Sequence, residues 1–183
     1  MGLRSSVFAG PIMGLSDARY FSGMGVRWLS IQVSDKEVAY MPSDRFREIA
    51  GWISGPEFVL DVSTSESVDF NLLSQEYGIR LFCIAPQQAD DAIGAGVRFG
   101  LSLPPDSSVD SLESGAEWVI TRDPDRVQSG CQRLYIGDWN PESAQACLQL
   151  DPRAGFVIPG SMETRPGIAQ LTSADFLELL EED

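Results

Sequence analysis

Eight short apolar runs, rich in β-branched and aromatic residues, recur along the chain. They are Ser6–Ala9, Trp28–Val33, Phe58–Val62, Ile79–Ile84, Val97–Leu101, Trp118–Ile120, Leu134–Ile136 and Gly155–Ile158. Most are continuous rather than alternating. That is the pattern of strands buried on both faces, as in a parallel sheet. Helical spacing appears between several of them. Asp17–Met24 places Ala18, Phe21 and Met24 on one face. Ser43–Ile53 does the same with Phe46, Ile49, Ala50 and Ile53, with Ser43 or Asp44 as candidate N-cap. Asn140-Pro141-Glu142 is a helix start, with a capping Asn, Pro at the first helical position and an acid in the first turn. Ser173–Leu180 carries Phe176, Leu177 and Leu180. Gly78, Gly96 and Gly115 each precede a strand, where a helix C-terminus calls for a residue that tolerates positive φ.

Strand, helix, glycine, strand, repeated to eight strands with no switch point, predicts a closed (β/α)8 TIM barrel rather than an open doubly wound sheet. No segment reads as a linker, so residues 1–183 form one domain. Such barrels typically need about 200 residues or more, and this one is lean. The shortage falls in the second half. Thr121–Arg133 holds Pro124 and Gly130 and has no apolar stripe, and Ala85–Ala95 leaves room for only a short helix. Shortened helices there expose the outer wall, which suggests a homodimer.

Composition narrows the chemistry. The chain has 13 basic and 27 acidic side chains, a net charge of -14, and no histidine. Catalytic triads that need histidine, and histidine-ligated metal sites, are therefore excluded. Nucleic-acid binding through a basic face is not expected. Residues 1–50 carry a net charge of +1 and the remainder a net of -15. Cys83, Cys131 and Cys147 form no C-x-x-C pair and read as reduced thiols of a cytoplasmic protein. No apolar run approaches the ~20 residues of a membrane span. Trp28, Trp52 and Trp118 lie in or beside apolar runs and read as core. Trp139, beside Asp138, reads as closing the mouth or covering an interface.

Several segments resemble one family, the phosphoribosylanthranilate isomerases. Phe156–Ile168 resembles the family's last strand and its S-S-G-V-E-x-x-P-G-x loop. Asn140-Pro141-Glu142 resembles its N-P-E-N after the seventh strand. Lys36–Ala50 runs without a gap against K-S-P-R-Y-V-x-x-x-x-A-R-E-I-A, keeping Lys36, Tyr40, Arg47, Glu48, Ile49 and Ala50. Leu15-Ser16-Asp17-Ala18 resembles L-E-D-A in the first helix.

The resemblance implies a (β/α)8 barrel, no cofactor, no metal and a small phosphorylated ligand at the C-terminal mouth. The family's Amadori rearrangement uses a Cys base at the end of the first strand, in K-x-C-G, and an Asp acid at the end of the sixth. Its K-x-C-G aligns to Val7-Phe8-Ala9-Gly10, so the base becomes Ala9. The Asp aligns near Thr121, with Asp123 two residues on. The family's Q-L-H-G becomes Cys83-Ile84-Ala85-Pro86, and its P-R-Y becomes Val38-Ala39-Tyr40. The phosphate loops become Gly137-Asp138 and Pro159-Gly160-Ser161, leaving Gly137, Gly160 and Ser161 as the phosphate-binding candidates.

Three functions follow. The first is a barrel without the isomerase activity, with a binding or scaffolding role. The second is an enzyme of altered chemistry using Gln32, Asp35, Cys83, Arg122, Asp123, Asp138 or Glu163, whose carboxylates could hold Mg²⁺ or shuttle protons. The third is a true isomerase with Cys83 as relocated base and Asp123 as acid, Asp138 being a further catalytic candidate. Asp61 reads as lying inside the third strand.

Overall fold

The computed structural model describes residues 3–104, 115–122, 131–160, 163–165, 168–169, 176–178 and 180–181. The strands are β1 (Val7–Gly10), β2 (Trp28–Gln32), β3 (Glu57–Asp61), β4 (Leu81–Ile84), β5 (Arg98–Ser102), β6 (Ala116–Thr121), β7 (Gln132–Ile136) and β8 (Gly155–Pro159). They pair in parallel in chain order, and β8 pairs with β1 to close the barrel. Helices α1 (Leu15–Gly23), α2 (Ser43–Ala50), α3 (Phe70–Tyr77), α4 (Ala89–Gly94) and α5 (Pro141–Leu150) pack outside. A small antiparallel pair, β9 (Glu163–Arg165) and β10 (Ile168–Ala169), follows β8.

Each strand run of the sequence becomes a barrel strand, because parallel strands bury both faces. The helices follow their local signals with some differences. Asn140 caps α5 as expected, accepting from Ser143 N at 2.9 Å. Gly78 takes the left-handed conformation after α3, with φ of 72°. Helix α3 has no counterpart among the helical patterns described above. Its Asp69 side chain caps it, accepting from Leu72 N at 2.9 Å. The expected Ser43 or Asp44 cap of α2 is not made. Pro42 stands at that position and Ser43 is already helical. Ala85–Ala95 forms only a 3-10 turn (Pro86–Gln88) and the six-residue α4, the short helix expected. Residues 123–130, in the other lean segment, lie outside the described residues, as do 173–175. Phe176, Leu177 and Leu180 are wholly buried.

The core has two parts, separated by the sheet. Outward-facing residues such as Val7, Ala9, Leu29, Ile31, Phe82 and Phe156 pack with helix residues such as Ala18, Phe21, Phe46 and Ile49. Inward-facing residues fill the lumen: Phe8, Trp28, Val59, Leu81, Cys83, Trp118, Ile120 and Leu134. Trp28 and Trp118 meet across the interior with ring centroids 4.7 Å apart. Room for Trp118 comes from Gly100 on the neighbouring strand. A methyl group there would stand 2.0 Å from Trp118 Cε2. The β5–β6 register shifts at the same place, Phe99 facing Ala116 and Leu101 facing Val119, so β6 carries an extra residue. Trp28 and Trp118 are thus core, as expected. Trp52 is not. It is 69% exposed, with the Arg19 guanidinium 5.4 Å from its ring. It lies just past the end of α2, where the chain has left the helix's buried face.

Gly100→Ala is expected to destabilise the fold by about 1–3 kcal/mol, the usual cost of overpacking a filled interior. Gly94→Ala, where nothing lies within 4 Å of the added carbon, is expected to be neutral or stabilising. Urea unfolding of the two variants checks this, and equal effects would refute the packing argument.

Candidate functional site

Active sites of these barrels form at the C-terminal ends of the strands, and the pleat decides which residues reach the mouth. On β1, Phe8 faces the lumen, so Gly10 is the inward residue at the strand end, while Val7 and Ala9 face the helices. Ala9, the position aligned with the family's cysteine, is wholly buried in the outer core and opens onto no mouth. The inward position, Gly10, has no side chain. A methyl group there would stand 1.8 Å from Ser30 Oγ. The hydroxyl of β2 therefore occupies the space that a β1 side chain would need. Ser30 Oγ is wholly buried and, among the described residues, has no hydrogen-bond partner.

Three further side chains share this inner face. Gln32 ends β2, Asp61 ends β3, and the register pairs Gln32 with Asp61 and Asp61 with Cys83. Gln32 Oε1 accepts from Ser34 N at 3.1 Å. Asp61 Oδ1 accepts from Ser63 N at 3.0 Å and from Ser63 Oγ at 2.7 Å. Burial raises the Asp61 pKa and nearby Glu37 adds to the rise, while the two Ser63 bonds oppose it. Cys83 is 1% exposed. Burial, then the Asp61 charge, hold its thiol well above the ordinary range. A thiol so placed is a poor base. The far side of the lumen is apolar, with Ile120, Ile136 and Val157.

Beside the polar side lies a cleft of about 600 Å³ between the loops after β2 and β3. Asp35, Glu37, Glu66 and Asp69 line it, against one base, Lys36. Tyr40 contributes an aromatic wall.

The other candidates are scattered. Thr121 pairs in register with Tyr135 of the outer core, so it faces away from the lumen. Asp123 and Ser161 lie outside the described residues. Arg122 and Asp138 are exposed. Glu163 belongs to β9. Gly160 is buried, and a methyl group on it would stand 2.3 Å from the Pro11 carbonyl oxygen. Trp139 lies against Gly137 and donates from Nε1 to Val157 O at 3.1 Å. Its ring packs edge-on against Phe156 at 4.7 Å. It thus seals the outer wall and ties the loop after β7 to β8, and does not close the lumen. Among the described residues, no group of three or more carboxylates and thiols could hold a metal ion. No helix among them is long and apolar enough to cross a membrane.

No family model matches the sequence, and neither does any curated protein. Solved structures do match. TrpF from Jonesia denitrificans is 14% identical, with 96% of each chain covered and a TM-score of 0.74. Phosphoribosyl anthranilate isomerase from Thermus thermophilus is 16% identical, with 96% of each chain covered and a TM-score of 0.67. A further isomerase structure, in complex with reduced 1-(o-carboxyphenylamino)-1-deoxyribulose 5-phosphate, is 14% identical over 96% of each chain, with a TM-score of 0.68. The chain has the phosphoribosylanthranilate isomerase fold. At such identity the likeness concerns shape, and activity must be argued from the residues.

Asp61 was the residue sequence reasoning missed. The signal was present, as a lone acid at the end of an apolar run, but only the barrel register brings it beside Gln32 and Cys83. Ser30 carried no signal at all.

Two expectations follow. Cys83 should resist iodoacetamide at pH 8 until the protein unfolds, while the partly exposed Cys131 and Cys147 react. Comparable labelling of Cys83 would contradict its burial. The raised Asp61 pKa means that the folded state binds the proton more tightly than the unfolded chain. Stability is therefore lost as pH rises from the ordinary aspartate value of about 3.9 through the folded value. Asp61→Asn can keep the Ser63 bonds without the charge. It should raise the melting temperature at pH 7, with a gain that shrinks as the pH falls through the folded value and is gone near the ordinary aspartate value of about 3.9. A gain independent of pH, or a loss, would refute the assignment.

Proposed function

We propose that this barrel is a relative of the phosphoribosylanthranilate isomerases that does not carry out their rearrangement and instead holds a small molecule at its C-terminal mouth. The observation that carries this reading is the end of β1. The rearrangement needs a base for the sugar C2 proton and an acid for the ring oxygen. Gly10 has no side chain, and the space beside it is taken by the Ser30 hydroxyl. That hydroxyl has no partner among the described residues to activate it. Cys83, the other nucleophile on this face, is buried and held in its protonated form. Losing a positioned base typically costs about 10²–10⁴ in rate.

The phosphate side supports the same reading. Asp138 follows Gly137, so a carboxylate stands on the loop where the family places a second glycine. Pro159 has no N–H to offer an anion, and the Gly160 backbone packs on a carbonyl oxygen. An aspartate about 4–6 Å from a phosphate dianion costs about 1–2 kcal/mol at an effective dielectric of ~40. Altered chemistry at the same mouth has one observation in its favour. Asp61, with its raised pKa, could pass a proton to or from a bound ligand. Three cysteines with no C-x-x-C pair fit a reducing compartment such as the cytoplasm.

Purified protein is expected to show no turnover of phosphoribosylanthranilate above the uncatalysed rate. Its gene is expected not to restore growth without tryptophan in a strain lacking the isomerase. Rescue of that strain would overturn the proposal.

A further inference from the structure

Taking the mouth as the binding site proposed above, we infer that its ligand is a small hydroxylated organic cation, such as an amino sugar or amino polyol, anchored by Asp61 and Gln32, and not a phosphate ester. The first support is the arrangement of unused groups. Asp61 spends one oxygen, Oδ1, on both Ser63 bonds. Oδ2 has no partner among the described residues and remains an acceptor on the inner face. Gln32, next to it in register, uses its Oε1 on Ser34 N and leaves its amide donors uncommitted. The second support is the burial of that donor. Gln32 is only 8% exposed, and an uncommitted amide so little exposed at a strand end is an unfilled donor that a hydroxyl of a ligand in the mouth would satisfy.

The third support is electrostatic. Glu37 is close enough to act on Asp61. The adjoining cleft, of ligand size, carries Asp35, Glu37, Glu66 and Asp69 against Lys36. A phosphate dianion entering here meets acids on both loops. An ammonium group meets a carboxylate with a free oxygen. The apolar side of the mouth, Ile120, Ile136 and Val157, would cover the carbon skeleton.

Three ligands of one length separate the charge from the shape: glucamine, sorbitol and sorbitol 6-phosphate. Each is titrated into the full chain, followed by NMR of the backbone amides, at a fixed ionic strength so that screening is constant. Glucamine is expected to bind at least tenfold more tightly than sorbitol, shifting the amides of Gln32, Asp61 and Ser63. Sorbitol 6-phosphate is expected to bind more weakly than sorbitol. Asp61→Asn should erase the preference for glucamine. Glu37→Gln, on an exposed loop and with no fold role, should reduce it two- to fivefold. The inference is overturned if sorbitol 6-phosphate binds most tightly, if none of the three shifts the mouth amides, or if Asp61→Asn keeps the glucamine preference. These outcomes are independent of the turnover assay. Isomerase activity would sink the proposed function, whereas loss of the cation preference alone would sink only this inference.

Discussion

A closed eight-stranded barrel must fill its own lumen with inward-facing side chains, and everything else in this molecule depends on how it does so. Two tryptophans supply much of the volume. Their contact at 4.7 Å requires Gly100 on the neighbouring strand, because any side chain there would occupy the space of the Trp118 ring. The same logic recurs at the mouth, where Gly10 makes room for Ser30. Large residues and glycines are thus matched across adjacent strands. With Trp28, Trp118, Phe8 and Leu134 below, the functional groups are confined to the last inward layer of each strand. The filling is polar only in part. Both indole N–H groups are buried without partners among the described residues. Each such group typically costs about 1–3 kcal/mol, set against the apolar area that two tryptophans bury.

Pleat parity then decides which residues have access to a ligand. Ala9 and Thr121, the positions that the resemblance pointed to, face the helices. Gly10, Gln32, Asp61 and Cys83 face the mouth. Moving one residue along a strand turns a candidate base into a packing residue. At the end of β1 the inward position is Gly10, whose β-carbon site is already filled by Ser30, so a side chain there needs two coordinated changes.

The strands were legible because parallel strands are buried on both faces and so read as unbroken apolar runs. The same property hid their parity. Alternation marks the inner face only when the two faces differ in polarity, and in Val7-Phe8-Ala9 they do not. Helix ends announced by their own chemistry, such as Asn140-Pro141 and Gly78, were readable. Helix α3 was not: Phe70, Leu73 and Tyr77 do stand at helical spacing on the core side, but the neighbouring Leu72, 57% exposed, blurs the stripe. Trp52 misled because hydrophobicity marks where a side chain can be buried, while the end of α2 decided where it was. The polar side of the mouth was the least legible part. Gln32, Asp61 and Cys83 lie far apart in sequence, and only the barrel register sets them side by side.

The acidity of the chain takes on a local meaning in this geometry. A net charge of -14 spread over a surface mainly aids solubility and is screened within about 10 Å at ordinary salt. At the mouth the same excess is concentrated near one partly buried carboxylate with a free oxygen. Low-dielectric walls make such a group more selective than a surface acid, because a ligand must compensate for both its charge and its desolvation. An anionic ligand adds to that cost, and a neutral one leaves it unchanged. A cation lowers it, and in doing so makes ionised Asp61 the favoured form. The raised pKa of Asp61 and the proposed preference for a positive ligand are therefore two consequences of one arrangement, a carboxylate placed at the strand end of a barrel whose interior is largely apolar.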